Sequence, residues 1–528
     1  MKNLLALSLF LSTSIFCNSQ TTFHRYYGGS EGDNIKAAIQ TQNGGFMMVG
    51  ESWSGGYGSE DIMIVNTDAD GKILWDLFMG SSSSEKAMSV AQTADGGYIV
   101  GGNISTTIQD AFLVKLTATG TVSWANTYGG TDIDNLHSVK QTSDGGYIFA
   151  GYSYSFNSGK KDNYIVKTDA NGTVVWSNLN GTSSDDKVWS ILETNDKGFI
   201  LAGESKGGSF GGMDLVVQKL NADGTVSWKK YWGTSNTEAG NSILELSNGD
   251  ILVAGETGGF SGDGNLDVFM LLLASDGSLK WGKVYGSNSP DEDPVLTYNS
   301  ASNQILITAK TLFPTPGNGD ILIIKTDMNG DTLLTKIYGR TSNDYGVWGK
   351  ILDNGMMAFA GVCQNYTPLL NNEFYLFTTN STGNSNCNEY NTTLTVTTAT
   401  NQLSSSSTST HTGTNVTVVN FQTKTGVSSE YLCPNGAGVN EKVSPDLLFS
   451  VIPNPSSTSF FLKISTESFN NLHSPEIIIT DVLHRKIRSE KIISPVHEIQ
   501  TSSLNPGIYF LNIPSNEKKL SVRKFIVN

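Results

Sequence analysis

Fourteen carboxylates recur at two fixed places along this chain. Carboxylates at constant spacing can cap backbone N–H groups, share protons or gather cations. The first series is Asp33, Glu85, Asp134, Asp186, Glu238, Asp291 and Asp344, each five residues past a glycine (Gly28, Gly80, Gly129, Gly181, Gly233, Gly286 and Gly339). The second is Asp61, Asp110, Asp162, Asp214, Asp267, Asp320 and Glu373. In one reading each acid accepts N–H bonds in a tight loop and welds neighbouring repeats together. In the other, one series faces a channel and collects cations or a basic ligand. A feature present in every repeat is expected to be scaffold, and a binding site is expected where the repetition breaks.

The breaks lie in Gly/Ser-rich loops that carry aromatic residues: Trp53 and Tyr57, Tyr152, Tyr154 and Phe156, Phe210, Phe260, Phe313, and Tyr366. Exposed rings on one rim suit stacking against sugars or a peptide, whereas buried ones would be plugs between repeats. The loops Ser261–Asp267 and Asp327–Asp331 are rich in oxygen ligands and hint at calcium. They lack the Gly at position six and Glu at position twelve of a full EF-hand loop, as does Thr67–Gly71, so hairpin turns are the expected outcome and no cofactor is assigned. His24 and His137 are the histidines of the repeat region, and each falls in a strand-like stretch. Nucleophile elbows, zinc spacings and phosphate loops are missing from the sequence.

The elements that position these residues repeat as well. Seven apolar strands end at Gly50, Gly102, Gly151, Gly203, Gly255, Ala309 and Gly361, in steps of 52, 49, 52, 52, 54 and 52 residues. A glycine-rich period near fifty with short alternating runs specifies one four-stranded propeller blade per repeat. Asx-Gly pairs mark hairpins, and Trp75, Trp124, Trp176, Trp228 and Trp281 follow them at a constant interval, as packing between blades would require. The second carboxylate series resembles the structural Asp of WD-repeat blades. The chain opens on a lone strand, Phe23–Tyr27, and its seventh repeat lacks a fourth; the two are expected to pair at Phe374–Thr378 and remove the exposed edges. The fold class is therefore all-β, a seven-bladed propeller over residues 21–383.

Net charge is −15 with 49 acidic and 34 basic residues, which argues against nucleic acid as a partner, since phosphate binding needs a clustered basic surface. Residues 1–20 have the Lys2 start and short apolar core of a secretory signal, and no later stretch has the length of a membrane helix. Residues 384–436 are Thr/Ser-rich with strand-like alternation, expected as a few strands or a hairpin stapled by a Cys387–Cys433 disulfide. Cys363 is expected as a buried thiol. Residues 437–447 read as a linker.

Residues 448–528 change character. Pro453-Asn454-Pro455, Asp481, Leu504, Pro506-Gly507-Ile508-Tyr509 and Lys524-Phe525 occur in an order that resembles the type A C-terminal sorting domain of the type IX secretion system. His484-Arg485 departs from the usual glycine-basic pair. The resemblance implies a small β-sandwich read by an outer-membrane translocon, export to the outer cell surface, and a Bacteroidetes source. The upstream repeats resemble uncharacterised propeller repeats of such exported proteins. Together these lead to the expectation of a surface-displayed binding or adhesion module for a glycan or protein. The alternative is a polysaccharide-acting hydrolase or lyase with a carboxylate pair on one rim, and a third reading is a purely structural matrix component.

Overall fold

The computed structural model describes residues 22–385 except 157–159, 209, 261–264, 313–318, 340–341 and 365–370, followed by strands and a few adjoining residues between Glu389 and Val527. Among the described residues all regular structure is β. The chain divides into two compact units, residues 1–435 and 436–528.

The first unit contains seven antiparallel four-stranded sheets arranged as propeller blades. In blade 1 the strands run Asp33–Gln40, Phe46–Ser52, Asp61–Thr67 and Ile73–Gly80, from the inner edge outward. The middle strands are buried along their whole length, which accounts for their near-continuous apolar sequences. Core clusters span neighbouring blades: Val49 and Ile64 of blade 1 pack with Val100 and Val114 of blade 2. Trp75 covers the next blade's hairpin, where Gly120 has φ +83° and a Cβ would lie 2.8 Å from the indole. Trp176 and Trp228 make the same contact with Gly224 and Gly277. The recurring tryptophans are therefore inter-blade packing, as their spacing predicts.

The opening strand His24–Gly28 supplies the fourth strand of the seventh sheet. It pairs with the segment the sequence predicts, Tyr27 standing opposite Phe374 and His24 opposite Phe377. One core cluster joins Ile35 and Met48 of blade 1 to Trp348 and Leu376 of blade 7.

Residues 389–431 form strands, as their alternation predicts, and overturn only the hairpin alternative. They do not fold back as a hairpin. Their seven short strands each add a fifth, outermost strand to a different blade. Glu389–Asn391 pairs with blade 6, Thr395–Thr398 with blade 5, Leu403–Ser404 with blade 4 and Ser409–His411 with blade 3. Asn415–Val418, Gln422–Lys424 and Ser428–Tyr431 continue to blades 2, 1 and 7. The segment is a belt that visits every blade in reverse order and covers the outer edges that four-stranded blades would leave open. Cys387 and Cys433, and the linker at 437–447, lie outside the described residues.

The second unit holds a three-stranded sheet (Phe449–Ile452, Ser459–Ile464, Val496–Gln500) and a four-stranded one (Lys486–Lys491, Glu476–Asp481, Gly507–Pro514, Leu520–Val527). Leu462, Ile477, Ile479, Ile499 and Leu511 are buried within it.

Candidate binding site at the neck of the seven inner strands

Each blade's inner strand begins at a first-series carboxylate or, in blade 2, one residue before it, and breaks register two to three residues past that acid. In blade 3 the pairing jumps from Leu136 to Ser138 and skips His137. In the other blades the skipped residues are Lys36, Met88, Trp189, Asn241, the pair Asp293-Pro294, and Val347. A bulge leaves its extra residue out of the ladder and re-aims its side chain. Lys36, Met88, His137, Trp189, Asn241, Asp293 and Val347 all line one cavity of about 280 Å³. All seven blades thus contribute to a single site, and no two of these side chains are alike.

The imidazole of His137 stacks on the indole of Trp189, with centroids 4.2 Å apart and planes 12° from parallel. His137 Nδ1 lies 2.8 Å from the Val188 carbonyl. Burial, reinforced by the Lys187 and Lys161 ammonium groups, pushes His137 down to about 4, so the ring is neutral at pH 7. Tyr152 stands over His137 at 5.6 Å and meets Tyr154 edge-on, and Lys161 lies 4.9 Å above the Tyr152 ring. Tyr152 borders a second cavity of about 320 Å³ that shares Lys36, Met88 and His137 with the first.

Charge at the neck is balanced locally. Lys36 and Lys86 both hold Glu51, at 3.1 and 3.0 Å, and Lys86 also reaches Glu60 at 3.0 Å. Lys187 pairs with Glu204, and Lys310 with Glu292 at 2.9 Å. On the opposite side, burial pushes the Glu256 carboxyl up to about 7 while its Oε2 accepts the Asp293 N–H at 3.1 Å. Asp293 sits at φ +54° and is itself raised by burial.

The two carboxylate series meet at the blade junctions. In the first, Asp33, Asp134 and Asp186 accept the N–H of Gly29, Gly130 and Thr182 at 2.6–2.7 Å, and Glu85, Glu238 and Asp291 do likewise with Ser81, Thr234 and Ser287 at 2.7–3.2 Å. In the second, the acids rest against the glycines ending the outer strands: a Cβ on Gly80, Gly181 or Gly339 would lie 1.7–2.0 Å from Asp61, Asp162 or Asp320. Gly129, Gly233, Gly286 and Gly28 receive Asp110, Asp214, Asp267 and Glu373 in the same way. Burial first and the neighbouring acid second push Asp110, Asp214, Asp320 and Glu373 up to about 6, 6, 7 and 8. Asp344, the seventh first-series acid, is fully buried beside Asp320.

The described loop aromatics separate into two groups, and Phe313 and Tyr366 lie outside the described residues. Phe156 packs on Tyr164, Phe260 on Phe269, and Phe210 against Gly233, so these three are plugs. Trp53 remains 41 % exposed and Tyr57 half-buried on the rim, while Tyr152 and Tyr154 join the neck. Trp189 and the other bulge residues escaped the loop-based reading. Their signal lies in the spacing: they stand three residues after the first-series acid (two for Asp293) and differ in every repeat. The suspected calcium loops close as hairpin turns: Asp327 Oδ1 accepts the N–H groups of Asn329 and Asp331, and Asp68 Oδ1 those of Asp70 and Lys72. Residues 261–264 of the third loop lie outside the described set.

In the second unit Asp481 stands opposite Tyr509, and Tyr509 opposite Phe525, with Lys524 opposite Phe510 and Gly507 opposite Val527. Pro453, Asn454, Pro455 and Pro506 lie outside the described residues.

Residues 450–528 match the model of the secretion system C-terminal sorting domain. This is the sorting tail of type IX secretion, so the chain is a propeller-bladed protein carrying a type IX export signal. A comparison with curated proteins finds no match. Among solved structures, the chain is similar to the Dos1 propeller at 9 % identity, covering 68 % of this chain and 94 % of that one with TM-score 0.37. It is similar to a Penicillium chrysogenum α-L-arabinanase complexed with arabinobiose (12 %, 68 % and 98 %, TM-score 0.37). It is also similar to PorZ, a type IX secretion surface component of Porphyromonas gingivalis (10 %, 96 % and 100 %, TM-score 0.20). At these scores the likenesses carry no information on activity.

Proposed function

We propose that this protein is a cell-surface binding module whose closed seven-bladed ring holds a glycan or protein ligand at the neck. The carrying observation is the convergence of seven unlike bulge residues on one cavity, with the His137–Trp189 stack at its wall. A scaffold needs identical residues at equivalent places; unlike residues at equivalent places, all facing one space, are what recognition of an asymmetric ligand requires. The sorting tail supports export through the type IX translocon, following signal-peptide passage to the periplasm. Two experiments test this reading. Removal of residues 448–528 leaves the protein in the periplasm, and surface display of the shortened chain overturns the export assignment. Replacing Trp189 by Ala abolishes adhesion of displaying cells to their natural surface while Trp53→Ala does not; the reverse pattern moves the site to the rim.

A second reading is a polysaccharide-acting hydrolase or lyase. Glu256 favours it, since a carboxyl pushed up to about 7 is able to give a proton near neutrality, and Asp293 adjoins it. Release of reducing ends from a polysaccharide, lost in Glu256→Gln, would establish it.

A further inference from the structure

Within the neck, two polar atoms are buried and have no hydrogen-bond partner among the described residues: Trp189 Nε1 and Asn241 Oδ1. They belong to equivalent bulges of neighbouring blades and border the same cavity. One is a donor only and the other an acceptor, so a ligand completing both must offer an acceptor to the first and a donor to the second. A hydroxyl does this with a single oxygen. A buried polar group left unmatched is costly, which makes the pair selective for whatever supplies that oxygen.

The surroundings restrict the ligand further. The His137–Trp189 stack presents flat ring surface, with the Lys187 ammonium 5.5 Å from the indole centroid, and suits a ring that bears both C–H groups and hydroxyls. Lys36, Lys187 and Lys310 are already ion-paired with Glu51, Glu204 and Glu292, so an anionic ligand would have to break a pair to use one of them, while the Lys161 ammonium rests on the Tyr152 ring beside the second cavity. A cavity of about 280 Å³ is large enough for one sugar ring.

We infer that the neck is a subsite for a single neutral sugar ring, stacked on His137–Trp189 with one hydroxyl placed between Trp189 Nε1 and Asn241 Oδ1. The inference rests on the binding-module reading and specifies its ligand as uncharged and hydroxyl-rich. A peptide or a uronic acid is the competing ligand.

The test uses the full chain on an array of neutral gluco-, manno-, galacto- and xylo-oligosaccharides beside uronic-acid oligosaccharides and a random peptide panel, with affinities of the hits measured calorimetrically. Binding to at least one neutral family, with about tenfold loss in Asn241→Ala and larger loss in Trp189→Ala, supports the inference. Unchanged melting temperatures keep those losses from being read as unfolding; should Trp189→Ala unfold, Trp189→Phe, which retains a ring and removes the N–H, is expected to lose about tenfold. Trp189-dependent binding of uronic acids or peptides alone overturns the sugar assignment and leaves the neck as the site. Neutral-sugar binding indifferent to both variants overturns the neck reading as well, and absence of any binding by the native chain overturns both.

Discussion

His137 and Trp189 lie face to face, 4.2 Å between ring centroids, although each is the residue its own inner strand leaves out of the ladder. The stack exists because two bulges at equivalent places in adjacent blades carry flat side chains. It also covers one face of the imidazole.

His137 is therefore expected to titrate near pH 4, well below an ordinary histidine. Its neutral form is favoured in the folded state, so its contribution to stability is present above about pH 6.5 and is lost as pH falls towards 4. Trp189→Ala admits water and moves the titration back towards 6.5. NMR of the His137 ring protons checks this, and an unshifted value in the variant contradicts it.

The carboxylate junctions act in the opposite sense. Asp320 and Glu373, pushed up to about 7 and 8, keep a proton in the folded protein where the unfolded chain has lost it. Their contribution is complete below about pH 4 and is lost as pH rises through 6 to 8. Thermal stability should thus fall between pH 5 and 8.5. Asp320→Asn removes the penalty at one junction and is expected to stabilise the protein at pH 8.5 by on the order of 1–3 kcal/mol, with little effect at pH 5. Calorimetry at the two pH values measures it. A lysine answers the same problem at one junction: Lys229 Nζ lies 4.0 Å from Asp186.

The blades and the closing strand are legible in the sequence because each repeats or lacks a local signal: Tyr27 and Phe374 belong to a three-stranded remainder and a lone strand that fit only each other. The belt is not legible in that way. Alternating Thr and Val at 395–398 specify a strand but carry no information on its partner, since every outer blade edge offers the same backbone groups. Its period was nevertheless present, with strands starting at 389, 395, 403, 409, 415, 422 and 428, one per blade. At the site, loop aromatics are conspicuous in sequence, but Phe156 and Phe260 are core plugs. The side chains that converge, Trp189 and Asn241, sit in strands, where a bulge invisible to composition re-aims them.

Belt pairing predicts a difference between two shortened chains. A chain ending at Asn435 keeps the belt, and one ending at Asn384 exposes seven outer edges. The shorter chain is expected to melt several degrees lower, to aggregate, and to lose amide-exchange protection in the outer strands Val122–Gly129 and Leu279–Gly286. Equal protection in both would show that the belt adds no stability.

The disulfide expected between Cys387 and Cys433 gains a spatial argument from the described neighbours. Cys387 lies two residues before a strand bonded to blade 6, and Cys433 two residues after one bonded to blade 7. We propose that the bond joins the two ends of the belt into a hoop. Peptide mapping without reduction should find Cys387 linked to Cys433 and Cys363 free, and reduction should cost about 4 kcal/mol for a loop of this length. A Cys363 linkage contradicts the proposal.

The binding site itself is tested most directly by 19F NMR of the full chain labelled at tryptophan, with the Trp189 and Trp53 resonances assigned by Phe substitution and titrated with the neutral oligosaccharide selected on the array. A site at the neck shifts the Trp189 resonance and leaves Trp53 unmoved. A shift of Trp53 with Trp189 unchanged would place recognition on the rim and contradict the account.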